Sequence, residues 1–133
     1  MNFVINGVRI SFIAKEKNLS PVRKSVAIIN NILAADLVAV GAMKIELILR
    51  RNEFRDYYDI YSILQEGKSL KELVSAASKY SNRLLKTRDA LSFLSNGNNF
   101  RKDKSFALLE PVYDIDHRGI EEYIKSLIRK EWI

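Results

Sequence analysis

The chain has no cysteine, one histidine, two prolines and five glycines in 133 residues. Without thiols it forms no disulfide and no thiolate metal site, and a lone imidazole excludes a multi-histidine cage. A long apolar run is missing too. Lys44 and Glu46 interrupt the longest candidate, which falls short of the roughly 18 residues a bilayer span requires. Met1 to Gly7 shows no basic segment leading into a long apolar one, so no secretory signal is expected. These absences predict a cytoplasmic protein with no membrane partner. What is present suits one domain over residues 1–133: 47% hydrophobic and 29% charged residues, enough to bury a core. The formal net charge of +6 favours phosphate-bearing partners, RNA among them. Because bases and acids are interspersed, a solvated surface and a phosphate-facing patch both remain open readings.

Asn6-Gly7 separates two β-prone runs, Met1 to Ile5 and Val8 to Ala14. Asn-Gly suits a two-residue turn with positive φ at both central positions, which predicts a hairpin over residues 1–14. An isolated hairpin is marginal in water. It must therefore pack on something or join a larger sheet, and a homo-oligomer formed through its edge is expected. Residues 20–133 read as a helical bundle. Ser20-Pro21 has the form of a helix cap and first helical residue, predicting a helix to about Leu33 with Val22, Val26, Ile29 and Leu33 inward. Asp36 caps a second helix, Leu37 to Arg51, in which Gly41 implies close approach of another backbone, such as the hairpin's. A third helix opens at Arg55-Asp56 and ends near Gly67, with Tyr57, Ile60, Tyr61 and Leu64 as its inward stripe. Ser69 to Glu72 is a capping box for a helix from Leu70 to Tyr80. Another helix covers about Asn82 to Ser95, residues 96–104 read as a flexible loop, and a last helix runs from Asp116 or His117 to Lys130. The expected class is α+β, mostly α: five to six helices behind a short N-terminal hairpin.

The residues suited to chemistry gather between the second and third helices. Lys44 and Arg51 share a helical face, Asp56 and Asp59 are three apart on the next helix, and Arg55 can pair with Asp59. Fixed cations stabilise charge on phosphate oxygens, and a carboxylate can take a hydroxyl proton. The same residues also read as a purely structural network. Asp114-Ile115-Asp116 offers a second, weaker candidate. On a strand its carboxylates would point one way, as a metal pair requires; in a loop they are an acid and a helix cap. Tyr57, Tyr58 and Tyr61 read as core and rim aromatics, and Trp132 as either docked on the bundle or a partner contact.

Ala42, Lys44, Arg51, Arg55-Asp56 and Asp59-Ile60, with Asp36-Leu37 before them, resemble the AbiEii/AbiGii family of nucleotidyltransferase toxins from type IV toxin–antitoxin and abortive infection systems. The pattern is a helical lysine, a following arginine, then Arg-Asp with a second Asp three residues on. The resemblance implies a nucleotide transferred from an NTP, with Mg²⁺, to an RNA or protein acceptor. It makes Lys44 and Arg51 ligands of the NTP phosphates, Asp56 the catalytic or organising acid, Arg55 and Asp59 a supporting network, and an antitoxin a partner. The family's Gly-Ser turn and Asp-x-Asp metal strand have no counterpart ahead of the match, so the chain resembles the C-terminal portion of such an enzyme. Two expectations follow. Either a complementing N-terminal segment restores activity, or the chain is a truncated, inactive helical module that binds a partner.

Overall fold

The computed structural model describes residues 1–14, 20–22, 25–81 and 85–133. Its first element is the expected hairpin. Strands β1 (Asn2–Ile5) and β2 (Val8–Ser11) pair antiparallel, with Asn6 at φ 50° and Gly7 at φ 78° in the turn. Phe3 meets Phe12 edge-on at 5.7 Å across the end of this hairpin.

The predicted helix from Pro21 to Leu33 does not form. Ser25–Ile29 is strand β3 and Ile32–Ala35 is strand β4, a second antiparallel hairpin with a register shift between Ala27 and Ile29. Asn30, at φ 49°, turns the chain where a helix would have continued. Asparagine tolerates that left-handed conformation, and the β-branched run on either side prefers a pleated surface to a helix. Ser20 is no helix cap; its hydroxyl accepts the Val22 N–H two residues on at 3.3 Å. The two hairpins form two separate sheets.

The helices begin at Asp36, whose carboxylate accepts the Ala39 N–H at 2.8 Å and caps α1 (Leu37–Ile48). Helix α1 ends three residues before the expected Arg51. Gly41 is explained by a side chain instead of the hairpin backbone. A Cβ there would lie 2.7 Å from Cδ2 of Leu73, so the missing methyl lets helix α3 (Leu70–Tyr80) close on α1. Helix α2 (Phe54–Gln65) buries Phe54, Tyr57, Tyr58, Ile60, Ile63 and Leu64, while Tyr61 packs at the rim. It gives way to Gly67 at φ 88°.

Ser69 caps α3 as predicted, accepting from the Glu72 N–H. The second arm of the cap comes from a distant residue. The Glu131 carboxylate accepts the Ser69 hydroxyl at 2.6 Å and the Lys71 N–H at 2.8 Å, tying α5 (His117–Trp132) to the start of α3. Helix α4 (Thr87–Leu94) is shorter than the expected helix, whose start near Asn82 lies outside the described residues. Residues 96–104, expected as a loop, contain a 3-10 turn at Gly97–Asn99 and the buried Phe100. Ile120 and Ile124 bury one face of α5, and Trp132 packs against the core at its end. The observed class is α+β and mostly α, with the core lying among the five α-helices.

Candidate functional site

The junction between α1 and α2 brings the predicted residues together. Lys44 lies two turns into α1, where every neighbouring inward residue is apolar, and Asp56 occupies the first turn of α2. Asp56 is wholly buried, at 0% exposure, and is the buried charged residue of the core among the described residues. A lone buried carboxylate would be strongly disfavoured, so its partners decide whether the position is tenable. Lys44 Nζ donates to Asp56 Oδ1 at 2.9 Å. Arg51 Nε donates to Oδ2 at 2.8 Å and Nη2 to Oδ1 at 3.2 Å, a two-pronged contact that matches the guanidinium fork to the carboxylate. Lys44 Nζ also lies 2.7 Å from Asp59 Oδ2. Arg51 lies past the end of α1, so it shares no helical face with Lys44 as predicted; the two side chains converge on one acid from the helix and from the turn that follows it.

Burial would push the Asp56 carboxyl up, but hydrogen bonds from Arg51 and Lys44 outweigh it and hold the pKa below the ordinary carboxylate value. For Lys44, burial acts downward, and Asp59 and Asp56 more than offset it, so the ammonium is held charged. Both Asp56 oxygens accept hydrogen bonds and its ionised form is favoured. As a proton acceptor it is therefore weak; as a fixed anchor for two cations it is well placed.

Arg55 does not pair with Asp59 as predicted. It bonds Glu53 instead, while Asp59 is held against Lys44. Glu53 also lies 3.8 Å from Arg51. Sequence reasoning passed over Glu53, and it passed over Arg101 and Lys102, which it placed in a loop. These three line an open cleft of about 570 Å³ together with Arg50, Arg51 and Arg55. A usable signal was present: phenylalanines at 100 and 106 bracket the charged stretch and anchor it.

Asp114 and Asp116 form no strand pair. Residues 112–116 are irregular, and Asp116 caps α5 by accepting the Gly119 N–H at 2.8 Å. Tyr57 and Tyr58 are buried and offer no stacking face. Among the described residues no three His, Cys, Asp or Glu side chains gather as metal donors. Asp56 and Asp59 are turned toward cations, so the side chains present do not fit a resident Mg²⁺. No helix among the described residues is long and apolar enough to cross a membrane.

No curated protein and no solved structure matches the chain. The family model described as the nucleotidyl transferase AbiEii toxin of type IV TA systems matches residues 7–128, which includes the whole Lys44–Arg51–Asp56–Asp59 constellation, and the chain belongs to that family.

Proposed function

We propose that the chain binds the phosphates of a nucleoside triphosphate through Arg51 and Lys44, with Asp56 as the organising acid, in transfer of the nucleotide to an acceptor hydroxyl. The observation that carries this reading is the two-pronged Arg51–Asp56 contact at the edge of the cleft. A guanidinium has five N–H donors; Asp56 engages two of them, and the side chain that carries the rest is half-exposed and lines the cleft. Asp56 thereby sets the fork in place before a ligand arrives, which is how fixed dipoles and charges lower the barrier to phosphoryl chemistry. In the reaction an acceptor oxygen–phosphorus bond forms at the α-phosphate, the bond to the β-phosphate oxygen breaks, pyrophosphate leaves, and the hydroxyl proton passes to water. Arg51 and Lys44 supply the charge that balances the phosphate oxygens.

A second reading is a partner-binding module that keeps the same network for structure alone. Its support is the exposed apolar strands, where Val4, Val8, Ile28 and Leu33 lie open to solvent. Thermal unfolding with added NTP separates the two readings. Ligand at about a hundredfold over its Kd stabilises by about 2.7 kcal/mol, so the wild-type melting temperature should rise by several degrees. The triple variant Lys44→Ala, Arg51→Ala, Asp56→Asn, which removes the cations without stranding a buried charge, should show no rise. An equal rise in both proteins would overturn the nucleotide reading.

A further inference from the structure

Arg101 and Lys102 occupy a part of the cleft that the nucleotide reading does not use, and the fold holds them there firmly. Phe100 stacks on the buried Tyr57 with ring centroids 3.8 Å apart and planes 7° apart. Phe106 meets Phe54 edge-on at 4.9 Å. Between these pins the Phe54 N–H donates to the Arg101 carbonyl at 3.0 Å, and the Arg101 N–H donates to the Asn52 carbonyl at 3.1 Å. Asp103 then accepts the Ser105 N–H at 3.0 Å and starts the 3-10 turn Lys104–Leu109. The stretch is ordered before any ligand binds, so the entropic cost of fixing a loose loop does not arise.

The charge in the cleft is unbalanced. Five cations, Arg50, Arg51, Arg55, Arg101 and Lys102, line it with two anions, Glu53 and Asp103, a formal surplus of +3. Three of the five have acidic partners: Arg50 with Glu46, Arg51 with Asp56 and Arg55 with Glu53. Among the described residues Arg101 and Lys102 have no carboxylate within ion-pair distance, and both side chains are exposed. The Lys102 ammonium lies 5.5 Å over the rings of Phe54 and Phe106, an attraction of modest size that leaves its donors open to solvent.

We propose that this cleft binds the phosphodiester backbone of a single-stranded oligonucleotide, with Arg101 and Lys102 as its phosphate contacts. The cleft is open to solvent and lined mainly by charged side chains, which suits a charged backbone laid across it more than a small molecule that must be enclosed among apolar walls. Its lining rings are buried at 1% and 5% exposure, so bases find no platform and recognition runs through phosphate, independent of sequence. That this strand is the acceptor rests on the transfer reading above; its binding does not.

The test is fluorescence anisotropy of a labelled oligouridylate over a salt series. Wild type should bind with an affinity that falls steeply as salt rises. Arg101→Gln with Lys102→Gln should bind about tenfold more weakly, with a log–log salt slope smaller by about 1.4, roughly 0.7 per cation removed. Arg129→Gln with Lys130→Gln, an equal charge loss in the last turn of α5, should stay within about twofold of wild type. Should the Lys102 change impair folding, Arg101→Gln alone serves, because the contacts that hold that residue are backbone ones; a slope smaller by about 0.7 is expected. Equal losses in the two double variants, no loss in Arg101→Gln, or binding of polyglutamate in place of the oligonucleotide would each overturn the proposal. The NTP-induced rise in melting temperature should persist in Arg101→Gln with Lys102→Gln, so failure here and failure of the nucleotide reading give different patterns.

Discussion

Arg51 and Asp56 meet through two hydrogen bonds, at 2.8 and 3.2 Å, on a carboxylate with no solvent exposure. Breaking one side of a buried pair strands a charge, which costs about 3–5 kcal/mol, whereas neutralising the whole set is far milder. Lys44→Ala with Arg51→Ala should therefore lower stability by about that amount, and adding Asp56→Asn should restore most of it. Urea denaturation of the three proteins measures both steps. Additive losses would show that Asp56 does not depend on these cations.

The same pair sets an acid limb. Asp56 is depressed in the folded protein against an unfolded value of about 3.9, so the unfolded chain takes up the proton first as pH falls. Its contribution is complete above about pH 4 and is lost as pH falls from there through the folded value. Lys44 is raised, so its contribution is complete below about 10.4 and is lost as pH rises through its folded value. Asp103, Asp116 and Glu121 are also depressed and add to the acid limb. The informative quantity is the difference between wild type and Asp56→Asn, which should shrink as pH falls below about 4. A difference that is constant with pH would contradict the assignment.

Glu131 ends the chain's last helix by capping another. Its carboxylate accepts from Ser69, Leu70 and Lys71, and a carboxylate at a helix N-terminus also meets the favourable end of the dipole. Glu131→Ala should cost about 1–3 kcal/mol, measured by chemical denaturation, more than the loss of an ordinary exposed charge. A change within about 0.5 kcal/mol would show that the cap is ornamental.

The periodic helices and the site were legible because they rest on local rules. Asp36 and Ser69 are caps, Asp56 stands in a first turn, and Lys44 lies within the apolar run of α1; Arg51 reaches Asp56 from the turn after that helix, not from a shared face. The second hairpin was not legible from period alone. Val22, Val26, Ile29 and Leu33 fit a helical stripe, and Ser20-Pro21 imitates a helix start; the Asn30 turn and the β-branched run carried the better signal. The cleft's far wall was hidden for a different reason. Arg101 reaches the α1–α2 junction only because Phe100 and Phe106 find Tyr57 and Phe54, a tertiary match that no spacing rule encodes.

The exposed strands predict association. Phe3, Val4, Val8, Phe12 and Ile13 on one hairpin, with Val26, Ile28, Ile29, Ile32 and Leu33 on the other, are all more than a third exposed. Each two-stranded sheet also leaves its outer backbone edges unpaired, and two copies joined along such an edge would extend the sheet. The sedimentation coefficient should rise with concentration, and Val4→Lys with Ile28→Lys should suppress the rise. A strictly monomeric profile at high concentration would count against it.

The central claim is that the Asp56-held cations face phosphate, and nuclear magnetic resonance of the side chains reads it directly. With the arginine Nε–Hε and lysine ammonium resonances assigned, titration of an NTP should move Arg51 and Lys44 along saturable curves, leaving Arg129 in place. Shifts confined to other residues, or none at Arg51 and Lys44 up to millimolar nucleotide, would contradict the account.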